Sequence, residues 1–223
     1  LLFHNRSAKL KTRFFQLYYY NFKYSNHTRF KYAFLLVGGE GPIRPFDEAR
    51  KPHIANEGNI VVQWAKQFGA ALFALEHRFY GESRPTADMS VENLKYLNSQ
   101  QAIEDIAYFI KQMNRRYGDP IWIAFGASYS GSLALWARQK YPELIAGAVA
   151  SSAPMEITLD FWGLKDGIGD VFRAHSETCA ENIEKAFAEM SDLMKTGKGR
   201  EKLQQLLALV LSPFQNPCSF GVH

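Results

Sequence analysis

Residues 124–136 read "AFGASYSGSLALW", a run of small residues carrying three serines. The apolar run before it, "IWIAF" (121–125), suits a buried strand, and "SLALWARQKY" (132–141), stopped by Pro142, suits a helix. Ser128 then falls on the strand-to-helix turn, two residues after Gly126. Such a turn strains the backbone of its serine, lifts the hydroxyl above the sheet edge, and needs small neighbours where strand and helix approach closely. The usual spacing is G-x-S-x-G. This chain has G-A-S-Y-S, with Ser130 in the second glycine's place and Gly131 one further on. Ser128 is therefore a candidate nucleophile, while Ser130 and Ser132 fall in the start of the helix, where capping or packing suits them. Taken alone, the stretch reads equally well as a small-residue turn that packs a helix onto a sheet.

The surrounding pattern alternates. "YAFLLV" (32–37) and "ALFALE" (71–76) are short buried-strand candidates, and "IAGAVAS" (145–151) is a fourth after "IWIAF". Between them, "GNIVVQWAKQFG" (58–69) carries Ile60, Trp64 and Phe68 at helical spacing. Residues 99–117 carry Ile103, Ile106, Ala107, Ile110 and Met113 at steps of three and four, ending at Gly118. Strand–helix–strand alternation with near-continuous apolar strands predicts an α/β fold with a mostly parallel sheet covered on both faces. From about Thr178 the character changes: "CAENIEKAFAEMSDLMKTG" and "REKLQQLLALVL" are helical with no strand between, and "SPFQNPCSFGVH" is aperiodic. We expect residues 1–160 to form the sheet-bearing part, and residues 161–223 a partial helical cap with an aperiodic tail.

Composition narrows the classes. With 223 residues, 47% of them apolar and 14% aromatic, the chain can bury one sizeable core and is not a disordered polymer. No apolar run is long enough to span a membrane, and the N-terminus lacks the pattern of a leader peptide. The net charge of +4 misleads. Residues 1–31 hold seven Lys and Arg and no acid, while the rest hold 19 bases against 22 acids. A nucleic-acid-binding surface needs its basic stripe on a structured face, and here the bias sits at one end, where "TRFFQLYYYNFKY" resembles edge strands guarded by charge. Nucleic acid is therefore not an expected partner. Cys179 and Cys218 are too few for a disulfide scaffold and fit no zinc spacing, so no metal or cofactor is implied. The sequons at Asn5 ("NRS") and Asn26 ("NHT") permit glycosylation in a secreted chain.

A second loop strengthens the reading of Ser128. "VGGEGP" leaves the first parallel strand, and in this kind of sheet such a loop offers an oxyanion-binding amide near Gly39 or Glu40. The amide of Tyr129, just after the serine, would be the other donor. Both loops leave carboxyl ends of parallel strands and so share a rim. Glu40 and Glu82 lie near that rim, where each could meet a substrate amine or satisfy loop amides.

In order along the chain, "VGGEGP", "ALEHRFYGESRP", "LNSQQAIEDIAYFI" and "FGASYSGSLALWARQKYPELIAGAVASSAP" resemble the family of lysosomal and secreted serine peptidases that includes prolyl carboxypeptidase, dipeptidyl peptidase II and thymus-specific serine protease. The "GGEG" form is most similar to the thymus-specific branch, and the resemblance covers roughly residues 30–195. It implies an incomplete α/β-hydrolase with the start of a helical cap, a secreted or lysosomal location, and hydrolysis of peptide bonds after proline near a chain end. It also implies Ser128 as nucleophile, and a cap whose cystines give Cys179 and Cys218 a reason to pair.

What the chain does not offer is an obvious base. In this fold the triad follows in the order Ser, Asp, His. Of the six histidines, His4, His27, His53 and His77 precede the serine, with His77 a structural residue of the "EHRFYG" loop by resemblance. His175 follows it without a strand pair to carry an Asp and then a His, and His223 ends the tail. The expected enzyme is thus represented by a chain lacking the triad Asp and His and inactive by itself. The competing expectations are an esterase- or lipase-like hydrolase on the same fold, or an inactive binding protein.

Overall fold

The computed structural model describes residues 2–6, 13–43 and 53–207. The chain divides into two compact units, Leu1–Glu156 and Ile157–His223.

The first unit is built on a six-stranded sheet. Its strands are β1 (Leu2–Arg6), β2 (Arg13–Asn21), β3 (Tyr32–Val37), β4 (Ala71–Leu75), β5 (Ile121–Ala127) and β6 (Gly147–Ser151), arranged β1-β2-β4-β3-β5-β6. β1 and β2 run antiparallel to their neighbours, while β4, β3, β5 and β6 are parallel to one another. Every residue of β4 is buried, which is why "ALFAL" shows no polar alternation: both of its faces are covered. The period-2 pleat divides the apolar residues between two cores. Ala33, Leu35 and Val37 of β3, Phe73 of β4 and Trp122 of β5 face one cluster, whereas Phe34, Leu72, Ala74 and Phe125 face the other.

The first core is closed by two helices. The longer, from Ser99 to Tyr117, is capped by the Asn98 side chain, which accepts from the Gln101 amide, and stops at Gly118 with a φ of 78°. The second runs from Tyr129 to Lys140 and buries Leu133, Ala134 and Ala137 against the sheet. Numbering helices in chain order, these are α3 and α4, with α1 at Ile60–Phe68 and a single turn, α2, at Val91–Leu94.

α1 covers the other core, though not through the expected stripe. Val61, Val62 and Ala65 are buried, while Ile60 and Phe68 are about half exposed. The small Ala65 lets the helix approach the sheet closely, so Trp64 and Phe68 reach round to Phe125 and Phe34 with ring centroids 5.9 and 6.4 Å apart. The N-terminal segment also departs from expectation. β2 is an interior strand, bonded to β1 on one side and β4 on the other, and Phe14, Leu17 and Tyr18 are buried.

The second unit holds α5 (Trp162–His175), α6 (Glu177–Met194) and α7 (Gly197–Leu206). Ser176 caps α6 by accepting from the Cys179 amide, and Thr196 caps α7 by accepting from that of Gly199. Arg173 ties α5 to α6 through Glu177 and Glu184. α5 lies within the stretch expected as a cap but ahead of the helical segments read from about Thr178, because Gly163, Gly167 and Gly169 dilute its helix-forming signal. No helix among the described residues is long and apolar enough to cross a membrane.

Candidate active site

Ser128 stands where β5 ends and α4 begins, with a φ of 55° and a ψ of −133°. A non-glycine residue held at positive φ costs free energy, on the order of 1–3 kcal/mol, and persists only where its surroundings over-determine it. Three groups of interactions do so here. The Ser128 amide donates to the carbonyl of Ser151 on β6 at 2.9 Å, and the Ser128 carbonyl accepts from the Gly131 and Ser132 amides at 2.9 and 3.2 Å. The Ser130 hydroxyl donates to the Ala127 carbonyl at 2.8 Å and accepts from the Ala127 amide at 3.0 Å. The serine in the second glycine's place thus ties the turn together, while the Ser132 hydroxyl donates to the Pro154 carbonyl at 2.9 Å. Gly126 is required sterically, since a Cβ there would lie 2.2 Å from the Ser130 carbonyl oxygen. Ser128 itself is exposed.

The glycine-rich loop arrives beside this turn. Gly38 donates its amide to the Leu75 carbonyl at 2.9 Å, so close to β4 that a Cβ would sit 2.6 Å from that oxygen. A Cβ placed on Gly39 would lie 3.5 Å from the Cβ of Ser130, in ordinary van der Waals contact with the start of α4. Gly39 and exposed Glu40 therefore border the same rim as Tyr129. Among the described residues the Tyr129 amide finds no acceptor, as befits the first turn of a helix, so it is free to donate to a ligand.

A buried polar layer lies under the rim, contributed by residues 76–83 between β4 and α2. The fully buried Glu76 carboxylate accepts from the Ser83 hydroxyl at 2.6 Å, from the Glu82 and Ser83 amides at 2.9 Å each, and from the Ile43 amide at 3.2 Å. It thereby ties the loop after β4 to the glycine-rich loop. Glu76 thus performs the task expected of Glu40 and Glu82, both of which are exposed. Arg78 is fully buried and grips Asp105 of α3 with two hydrogen bonds of 2.6 Å each, with further bonds to the Gln101 side chain and to the Tyr96 carbonyl at 3.1 Å.

His77 is buried in the same layer. Its Nδ1 lies 2.7 Å from the Arg78 carbonyl oxygen and must donate to it. Its Nε2 is then an acceptor and takes the Tyr129 hydroxyl at 3.2 Å. Burial lowers the pKa of His77 to about 4; the bond to the Arg78 carbonyl opposes the shift and the Arg78 charge adds to it. Tyr129 is pushed up to about 12, first by burial and then by the nearness of Tyr80 and Glu40.

Elsewhere, His27 packs edge-on against Phe22, and His53 and His175 are exposed, the latter at the end of α5 in the second unit. Within the first unit, no hydrogen bond joins a described histidine to the Ser128 hydroxyl. Asn26 is exposed in a turn in which its side chain accepts from the Thr28 amide and hydroxyl at 3.0 Å. Asn5 lies on β1, paired with Phe14. Cys179 is half-buried on α6; Cys218 and His223 lie outside the described residues. No cluster of three His, Cys, Asp or Glu that could hold a metal occurs among the described residues.

A mostly parallel sheet ordered in this way, with a strained serine between an interior strand and its helix, is the sheet of an α/β-hydrolase fold. The family described as serine carboxypeptidase S28 matches residues 4–217, and the chain belongs to that family. A Caenorhabditis elegans protein, named provisionally as a serine protease, is 45% identical over 190 residues, covering 84% of this chain and 34% of its own length. Human thymus-specific serine protease is 36% identical over 171 residues, 74% of this chain and 32% of its own. Human lysosomal Pro-X carboxypeptidase is 34% identical over 182 residues, 70% of this chain and 35% of its own. The chain thus spans about a third of the length of the curated relatives it matches. Among solved structures, a Pseudomonas aeruginosa protein named provisionally as a hydrolytic enzyme aligns at 15% identity and a TM-score of 0.49, covering 92% of this chain and 52% of that one.

Proposed function

We propose that this chain carries the nucleophile-bearing part of a serine peptidase. The observation that carries the reading is the positive φ of Ser128, held by backbone bonds on either side and presenting an exposed hydroxyl. In the proposed reaction the Ser128 Oγ attacks the carbonyl carbon of a peptide bond. The developing oxyanion is held by the Tyr129 amide and by an amide of the Gly39–Glu40 stretch. Its collapse breaks the C–N bond and releases the amine, which takes up the proton removed from Ser128, and water then hydrolyses the acyl-enzyme to a carboxylic acid and free Ser128. The proton of Ser128 needs a base, and His77 is unsuited to that task with both of its ring nitrogens already engaged. The base and its orienting carboxylate are therefore proposed to lie outside these 223 residues, in keeping with a relative about two and a half times as long. A polypeptide of these residues alone would then show little turnover.

The finer reading is cleavage after proline near a chain end, in a secreted or lysosomal setting. It is supported by similarity to a protein named lysosomal Pro-X carboxypeptidase and by the exposed sequon at Asn26. The second unit is proposed as the beginning of a helical cap, with Cys179 and Cys218 as a candidate pair and Asn5 as a further glycosylation candidate. The test is direct. In the active protein containing this chain, a fluorophosphonate should label Ser128. Ser128→Ala should abolish both label and peptide turnover, the latter by several orders of magnitude. Normal turnover in that variant would overturn the assignment.

A further inference from the structure

His77 is a buried titratable group beside the turn that the reaction described above leaves without a task. Its surroundings fix it from both ends. Nδ1–H is held by the Arg78 carbonyl, and Arg78 is itself anchored through its guanidinium to Asp105 and Gln101 of α3. The imidazole ring sits between Tyr80 and Tyr129, with centroids 5.2 and 5.5 Å away. Its remaining lone pair receives the Tyr129 hydroxyl. A continuous path of bonds therefore runs from α3 through Arg78 and His77 to the first residue of α4.

That residue carries the amide without an acceptor. The other restraints on the turn act on its neighbours: the Ser151 carbonyl holds the amide of Ser128, and the Ser130 hydroxyl holds Ala127. Among the described residues the bond to His77 is the hydrogen bond that holds the side chain of residue 129 itself, which also packs against the first core. We propose that His77 is a positioning residue for the reaction at Ser128: by accepting the Tyr129 hydroxyl it fixes the first turn of α4, from which the oxyanion-binding amide projects. The proposal rests on the reading of Ser128 as nucleophile. The requirement it places on residue 77 is specific. The side chain must be neutral, must donate at one end to a backbone carbonyl, and must accept at the other from a phenol.

The test uses the active protein containing this chain, with a peptide substrate. Tyr129→Phe removes only the hydroxyl, whereas His77→Phe removes the acceptor together with the donor to the Arg78 carbonyl while keeping a ring in the cavity. Each should lower kcat about tenfold or more, short of the 10²–10³ lost with an entire oxyanion donor, while KM stays within about twofold. The double variant should be no slower than the slower single, because one linkage is broken in all three. His77→Gln, whose amide can accept the phenol, should recover part of kcat. A fall in kcat of less than about fivefold in Tyr129→Phe, additive losses in the double variant, or a loss confined to KM would each overturn the proposal. If His77→Phe does not fold, Tyr129→Phe alone decides. Ser128→Ala separates the two levels: turnover surviving there refutes the nucleophile and this proposal with it. Turnover lost there but intact in Tyr129→Phe refutes only the role of His77.

Discussion

Neutralising Asp105 should be among the most damaging single changes available in the first unit. The Arg78 guanidinium is fully buried, and the Asp105 carboxylate is 2% exposed. In Asp105→Asn the shape survives, but the guanidinium keeps its charge while the carboxylate that balanced it is gone, leaving neutral oxygens (the new amide's and those of Gln101 and Tyr96) as its acceptors among the described residues. Removing one member of a buried pair costs about 3–5 kcal/mol, because the other is left as an uncompensated charge away from water. The Lys140–Glu104 pair supplies the contrast. Its side chains are 49% and 40% exposed, and breaking it should cost no more than about 1 kcal/mol. With a urea m-value of about 2 kcal/mol/M, Asp105→Asn should move the unfolding midpoint down by about 1.5–2.5 M. Fluorescence of the buried Trp122 in the same core provides one probe and far-ultraviolet circular dichroism a second. Replacing both partners with apolar residues, Arg78→Met with Asp105→Leu, should recover most of the loss, since no charge is then stranded. A cost below about 1 kcal/mol for Asp105→Asn would refute the reasoning and mean that water reaches the guanidinium.

Ser130→Gly, which restores the commoner spacing, should destabilise the protein by about 1–3 kcal/mol, because two hydrogen bonds to Ala127 vanish together; thermal unfolding measures it. Acid should weaken the fold through His77. Its folded pKa of about 4 lies below its ordinary 6.5, so the unfolded chain binds more protons between those values and stability falls as pH drops through that window. The full contribution is about 3 kcal/mol, present above pH 6.5 and gone below 4, and His77→Phe should flatten that part of the stability–pH curve. A polypeptide of these 223 residues alone should self-associate. β6 pairs only with β5 among the described residues, and α5 exposes Leu164, Ile168 and Val171. Light scattering that returned a monodisperse monomer would contradict this.

The sequence was most legible where one local rule acted alone. α3 follows from its three-and-four spacing, its Asn98 cap and its Gly118 stop, and β3 from six apolar residues ahead of a glycine pair. The turn at Ser128 is readable because its steric demand, a glycine two residues earlier, is itself local. α1 was misread in detail since apolar residues occur on more than one of its faces, and only packing decides that Ala65 goes inward rather than Ile60. α5 was missed because its glycines contradict the helix that they nonetheless join. The polar layer could not be read at all. Glu76 reaches back 33 residues to Ile43, Arg78 crosses 27 to Asp105, and His77 crosses 52 to Tyr129. No spacing rule covers such distances. Ser130 was similarly opaque, because its purpose is to satisfy the backbone of a turn whose shape must be known first.

The bond from the Ser128 amide to the Ser151 carbonyl makes the proposed nucleophile a gauge of how firmly the sheet is sealed. Ser151 is the last residue of β6, and fraying of that strand withdraws the acceptor that the strained backbone leans on. The turn would then relax toward an ordinary negative φ, lowering the hydroxyl and swinging the Tyr129 amide off its line. Clamping the outer edge of β6 has the opposite effect, so the serine is fully cocked only when the neighbouring strand is held. Deuterium uptake at this single amide therefore reports how firmly the turn of the proposed nucleophile is held, falling as the edge is closed and rising as it opens.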